Sequence, residues 1–130
     1  MNLTPKILII DDEKDFTAML STSLIRTGRY RVKVENDSTK AIETAQSFMP
    51  DLILLDIVMP GIDGGDLSSR LRGHPTLGKV PVILVSALIS SDETGAGDGI
   101  SVAGHTPIIS KPVKMDILTH CIDQTIAKAS

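Results

Sequence analysis

Four short apolar runs rich in β-branched residues recur along the chain: Ile7-Leu8-Ile9-Ile10, Leu52-Ile53-Leu54-Leu55, Val82-Ile83-Leu84-Val85 and Ile108-Ile109. A run with no polar alternation has no face to give to water. It suits a strand covered on both sides, which is the habit of a parallel sheet. Tyr30, Val32 and Val34 alternate instead with Arg31 and Lys33, as in a half-exposed edge strand, and this segment brings the expected strands to five.

Between the strands lie stripes of helical spacing: Phe16, Met19, Leu20 and Leu24; Ala41, Ile42, Ala45 and Phe48; and Leu118, Ile122 and Ile126 with Ile117 and Cys121 alongside. Gly28 follows the first stripe, Asp37 or Ser38 can cap the second helix, and Asp63 can cap a short third helix through Leu67 and Leu71. From Ser90 to Thr106 the pattern fails, because Gly95, Gly97, Gly99 and Gly104 each disfavour a helix by about 1 kcal/mol relative to alanine. A short or broken fourth helix is expected there. The alternation of strand and helix predicts a doubly wound α/β fold, a five-stranded parallel sheet inside a three-layer sandwich.

Composition narrows the functions open to such a fold. A length of 130 residues suits a single domain over 1–130. Thirteen basic against 16 acidic residues, a formal net charge of -3, offer no basic field to a nucleic-acid backbone. The single cysteine, Cys121, cannot close an internal disulfide, and no leader-like segment opens the chain. The most apolar stretch, Val80 to Ile89, is broken by Pro81 and Ser86 and is about half the length a membrane-spanning helix needs. A cytoplasmic protein without membrane or direct nucleic-acid contacts is expected.

The ends of the strands carry the chemistry. Asp11 and Asp12 directly follow the first strand, Asp56 the third, Ser86 the fourth and Lys111 the fifth, and a parallel sheet brings such positions to one edge. Singly, an Asp or Ser after a strand is a turn former or a helix cap. Jointly, three carboxylates repel one another unless a cation neutralises them. Magnesium suits them, because it takes oxygen ligands in an octahedron and keeps several waters; the backbone carbonyl of Val58 is a candidate further ligand. Zinc does not, since His74, His105 and His120 are scattered and Cys121 is alone. A carboxylate such as Asp56 can attack phosphorus once the incoming charge is neutralised, and Lys111 and the Ser86 hydroxyl can each reach a phosphoryl oxygen.

The segments Ile9-Ile10-Asp11-Asp12-Glu13, Leu54-Leu55-Asp56-Ile57-Val58-Met59-Pro60-Gly61-Ile62-Asp63-Gly64, Val85-Ser86-Ala87 and Ser110-Lys111-Pro112 resemble, in order, those of two-component receiver domains. The resemblance implies a flavodoxin-like (βα)5 fold in which Asp56 takes a phosphoryl group from a histidine kinase, a phosphotransfer protein or a small donor. Asp11 and Asp12 then correspond to the acidic magnesium pair. It also implies a cis peptide before Pro112, and a phosphorylation-driven shift of Ser86 and of the surface around the fourth helix, fifth strand and fifth helix. The target protein or output domain that reads this surface is left open.

Where many receivers carry an aromatic or histidine residue three positions before the lysine, this chain has Ile108, and the interval from Ser86 to Lys111 is longer and richer in glycine. Val58 and Leu88 place apolar side chains where relatives often carry polar ones, which would restrict attacking water. These departures motivate an alternative, a pseudo-receiver that binds partners regardless of phosphate; the complete acidic, serine and lysine set argues against it. An aspartyl-phosphate hydrolase shares the chemistry, but the chain is short for a substrate cap, so no turnover enzyme is expected. Gly73 to Lys79 has P-loop spacing, yet Val80 replaces the required Ser or Thr and the segment leads into a strand, so it reads as a surface connection. Gly95 to Gly99 likewise reads as a loop rather than a dinucleotide fingerprint.

Overall fold

The computed structural model describes residues 4–56, 58–59, 62–86, 100–103, 106–111 and 113–129. In chain order the elements are β1 (Lys6–Ile10), α1 (Lys14–Arg26), β2 (Arg31–Glu35), a 3-10 turn (Ser38–Lys40), α2 (Ala41–Phe48) and β3 (Leu52–Asp56). A small hairpin of β4 (Val58–Met59) and β5 (Ile62–Asp63) then leads into α3 (Gly64–Arg72), β6 (Val82–Ser86), β7 (Ile100–Ala103), β8 (Thr106–Ser110) and α4 (Met115–Ala129).

The apolar runs form the predicted parallel sheet, in the order β2-β1-β3-β6-β8, with β7 added beyond β8. Alternate residues of each run enter opposite layers. Ile7, Ile9, Leu52, Leu54, Ile83 and Ile109 pack with Leu20 and Leu24 of α1 and Leu118 and Ile122 of α4. Leu8, Ile10, Ile53 and Leu55 pack with Ala41 and Ala45 of α2 and Leu67 and Leu71 of α3. Every residue of β3 is buried, and the strand is apolar on both faces from Leu52 to Leu55, with Asp56 at its end as the one polar residue. Each fully buried Leu or Ile contributes about 1.5–3 kcal/mol relative to exposure, which makes these two layers the main source of stability.

The punctuation acts where expected. Gly28 takes a φ of 72° just after α1, a left-handed turn that favours glycine. The Asp37 carboxylate accepts a 3.0 Å bond from the Thr39 amide and caps the turn that opens α2. Gly73 to Lys79 is a connection between α3 and β6, not a phosphate loop; a Cβ on Gly78 would lie 2.7 Å from the Arg72 carbonyl oxygen, which excludes other residues there.

Two expectations need correction. Met19, placed in the buried stripe of α1, is 55% exposed, because Leu20 and Leu24 fill the sheet-facing side and Met19 points away from it. The sheet, expected to hold five parallel strands, carries a sixth: Ile100–Ala103, at the end of the interval where a short or broken fourth helix is expected, pairs antiparallel with β8 in the register Ile100↔Ile109 and Ser101↔Ile108. The β-branched pair Ile100 and Val102 alternates with Ser101, a strand signal that the surrounding glycines obscure, and pairing here covers the edge β8 would otherwise present. The other residues of that interval up to Gly99, with Gly104 and His105, lie outside the described residues. No helix among the described residues is long and apolar enough to cross a membrane.

Candidate functional site

Parallel register decides which side chains meet. Ile10 stands level with Leu55 on one side and Glu35 on the other, so Asp11 and Asp56, each the next residue, emerge at one edge of the sheet. β6 continues the line, with Asp56 level with Val85, and its final residue Ser86 faces Ser110, just before Lys111.

Asp11, Asp12 and Asp56 each offer a carboxylate oxygen within 4.8 Å of the others; Asp11 and Asp56 are buried and Asp12 is exposed. Lys111 reaches across from beyond β8. Its Nζ donates to Asp11 Oδ2 at 2.9 Å and to Glu13 Oε1 at 2.8 Å, and lies 3.5 Å from Asp56 Oδ2. The ammonium also sits 4.3 Å from the centre of the Phe16 ring, a cation-π distance. Burial disfavours this ammonium, but hydrogen bonds to Glu13 and Asp11 and the charges of Asp11 and Asp56 outweigh burial and hold its pKa above the usual lysine range.

Asp11 is fixed by its surroundings. Its Oδ1 accepts from the Glu13 amide at 2.9 Å, and its backbone carbonyl accepts from Asn36 Nδ2 at 2.8 Å. The same Asn36 amide donates at 2.9 Å to Thr17 Oγ1, a buried hydroxyl of α1. These bonds leave the carboxylate a defined direction, as a preorganised charge requires.

The local charge is unbalanced. Asp11, Glu13 and Asp56 lie within 3.5 Å of the Lys111 ammonium and Asp12 stands beside them, and all the donors in the aspartate trio are hard oxygens. Such a set fits a divalent cation of the magnesium type far better than a soft transition metal. The structure thus brings together four of the expected site residues, Asp11, Asp12, Asp56 and Lys111. Ser86 ends β6 and Val58 opens the β4–β5 hairpin, both by backbone position; Leu88 and the peptide at Pro112 fall outside the described residues. Asn36 and the Glu13 carboxylate are the participants that sequence reading missed. Asn36 directly follows β2, so the strand-end rule that singled out the aspartates could have found it.

Comparison with known proteins agrees with this geometry. The family model described as "Response regulator receiver domain" matches residues 7–123. The chain is similar to the response regulator PleD of Caulobacter vibrioides, 33% identical over 113 residues that cover 85% of this chain and 24% of that protein. It is also similar to the phosphate regulon transcriptional regulatory protein PhoB of Rhizobium meliloti, 30% identical over 118 residues, covering 86% of this chain and 52% of that protein. The chain therefore spans about a quarter of the one relative and about half of the other. Among solved structures, a putative response regulator from Chloroflexus aurantiacus superposes with a TM-score of 0.79 at 27% identity, covering 95% of this chain and 98% of that one. The receiver domain of a Francisella response regulator gives 0.78 at 27% identity, covering 98% and 100%.

Proposed function

The chain belongs to the response regulator receiver family, and we propose that within it the chain works as a phosphoacceptor, with Asp56 the residue that takes the phosphoryl group. The observation that carries this reading is the meeting of Asp11, Asp12, Asp56 and Lys111 at one sheet edge. One buried carboxylate sits there beside an acidic pair and a well-fixed ammonium. An Asp56 oxygen attacks phosphorus of a phosphohistidine on a histidine kinase or phosphotransfer protein; the O–P bond forms, the P–N bond breaks, and the departing imidazole takes up a proton. Lys111 neutralises a phosphoryl oxygen, and the Ser86 hydroxyl donates to another. Asp11, Asp12 and Asp56, with the Val58 carbonyl, would hold Mg2+. Bound there, the ion offsets the charge that gathers on the transferred group.

On this reading residues 1–130 form one receiver domain of a cytoplasmic phosphorelay. It catalyses only its own phosphorylation and dephosphorylation and is not a turnover enzyme. Phosphorylation shifts an equilibrium that a target protein or a further output domain reads. Incubation with Mg2+ and a small phosphoryl donor, followed by intact-mass measurement, tests it. Wild type is expected to gain the mass of one phosphoryl group and Asp56→Asn none; an unchanged wild-type mass, or equal gain by both, rules it out.

A further inference from the structure

Lys111 is held by more partners than its proposed task requires. An ammonium has three N–H donors. The two short bonds go to Asp11 and Glu13, at 2.9 and 2.8 Å, whereas Asp56 stands off at 3.5 Å. We propose that Glu13 is a positioning residue whose carboxylate clasps Lys111 on the α1 side of the site, and that a phosphoryl group arriving on Asp56 must displace this clasp. The proposal rests on Asp56 being the acceptor.

Several features make Glu13 the partner that yields. Its side chain is 59% exposed while that of Asp11 is 2% exposed, so water can replace the ammonium at Glu13 but not at Asp11. Its backbone is pinned at both ends: the amide donates to Asp11 Oδ1, and the carbonyl accepts the first helical bond of α1 from Thr17 at 3.0 Å. The carboxylate is therefore aimed by fixed backbone rather than by chance, and the Phe16 ring, three residues on, holds the same ammonium at 4.3 Å. Glu13 caps no amide of α1 with its side chain, so neutralising it leaves the helix start intact.

The clasp acts as a resting competitor. Removing its charge weakens its hold on one N–H of Lys111, which the phosphoryl oxygens can then claim more readily, and an exposed ion pair is worth a factor of about two to five. Glu13→Gln is expected to accept phosphoryl groups from acetyl phosphate, with Mg2+, about two to five times faster than wild type. It is also expected to bind beryllofluoride, with Mg2+, more tightly by the same factor, while Glu13→Asp returns toward wild type. Asp15→Asn supplies the charge control: it removes an equal charge from the same helix at a residue that is not one of the carboxylates paired with Lys111, and should change neither quantity. The Lys111 Nζ resonance, read by NMR without any phosphoryl donor, should shift in Glu13→Gln and not in Asp15→Asn.

Unchanged or slower acceptance in Glu13→Gln, with an active wild type, overturns the clasp; so does an equal gain in Asp15→Asn, which would mean a general field effect. An unmoved Lys111 resonance overturns it as well. If wild type itself takes no phosphoryl group but the resonance moves, the acceptor reading fails and takes with it the clasp's role as competitor, while the Lys111–Glu13 contact alone is upheld. Thermal melting of each variant establishes that the fold is retained.

Discussion

β3 and β7 belong to one sheet and are built on opposite terms. β3 is buried along its whole length and pairs in parallel with β1 and β6, so its register is set from both sides and Asp56 inherits a fixed position. β7 runs against the other strands and pairs with β8 alone among the described strands. It comes from a segment whose glycines oppose any regular structure. The aspartates of the candidate site sit at the ends of strands whose register is set by parallel neighbours. β7, bonded on one side only among the described strands, is the part that local opening reaches at lower cost.

The sharpest way to break this contrast is amide hydrogen exchange. β3 amides should open only with global unfolding and β7 amides by local opening, a difference in protection of about three orders of magnitude or more. Equal protection would mean that β7 is as firmly held as the centre. Core deletion comes next in size. Leu54→Ala removes a side chain only 1% exposed between two layers and should cost about 2–5 kcal/mol in denaturant unfolding. Ile108→Ala, at a position 8% exposed beside β7, should fall at the low end of that range, because a sheet margin closes over the three lost carbons more readily. A larger loss at Ile108 than at Leu54 would invert the picture.

The smallest expected effect is alkaline. Lys111 has its pKa raised by its carboxylates against the pull of burial. Tyr30, buried and donating a 2.7 Å bond to Asp123 Oδ1 of α4, has its own raised by burial against the nearby Arg29 charge. For a raised folded pKa, the stabilisation is complete below the unfolded value and is lost as pH climbs through the folded one. Unfolded lysine and tyrosine titrate at about 10.4 and 10, so stability should hold to about pH 9.5 and then fall. Tyr30→Phe should remove part of that fall, as followed by urea midpoints across the range; a decline beginning near neutrality would contradict both assignments.

Legibility in the sequence followed the same division. The parallel strands could be read because full burial leaves continuous apolar runs, and Asp11, Asp12, Asp56 and Lys111 could be read because a parallel sheet turns strand ends into neighbours. Met19 was misplaced because helical spacing defines a stripe without fixing how wide the sheet will make it. β7 was hidden because a four-residue strand amid glycines carries too little periodicity to compete with composition. The Lys111–Glu13 contact was out of reach for another reason: it depends on a side chain crossing from β8 to the start of α1, 98 residues apart in sequence, and no local pattern encodes that meeting.

An acyl phosphate on Asp56 can be located by chemical trapping. Borohydride reduces an acyl phosphate on aspartate to homoserine, which peptide sequencing by tandem mass spectrometry locates. After treatment with Mg2+ and acetyl phosphate, homoserine is expected at position 56 and at no other aspartate. Homoserine at Asp11 or Asp12 instead, or at no position while the protein remains folded, would mean that Asp56 is not the phosphoacceptor.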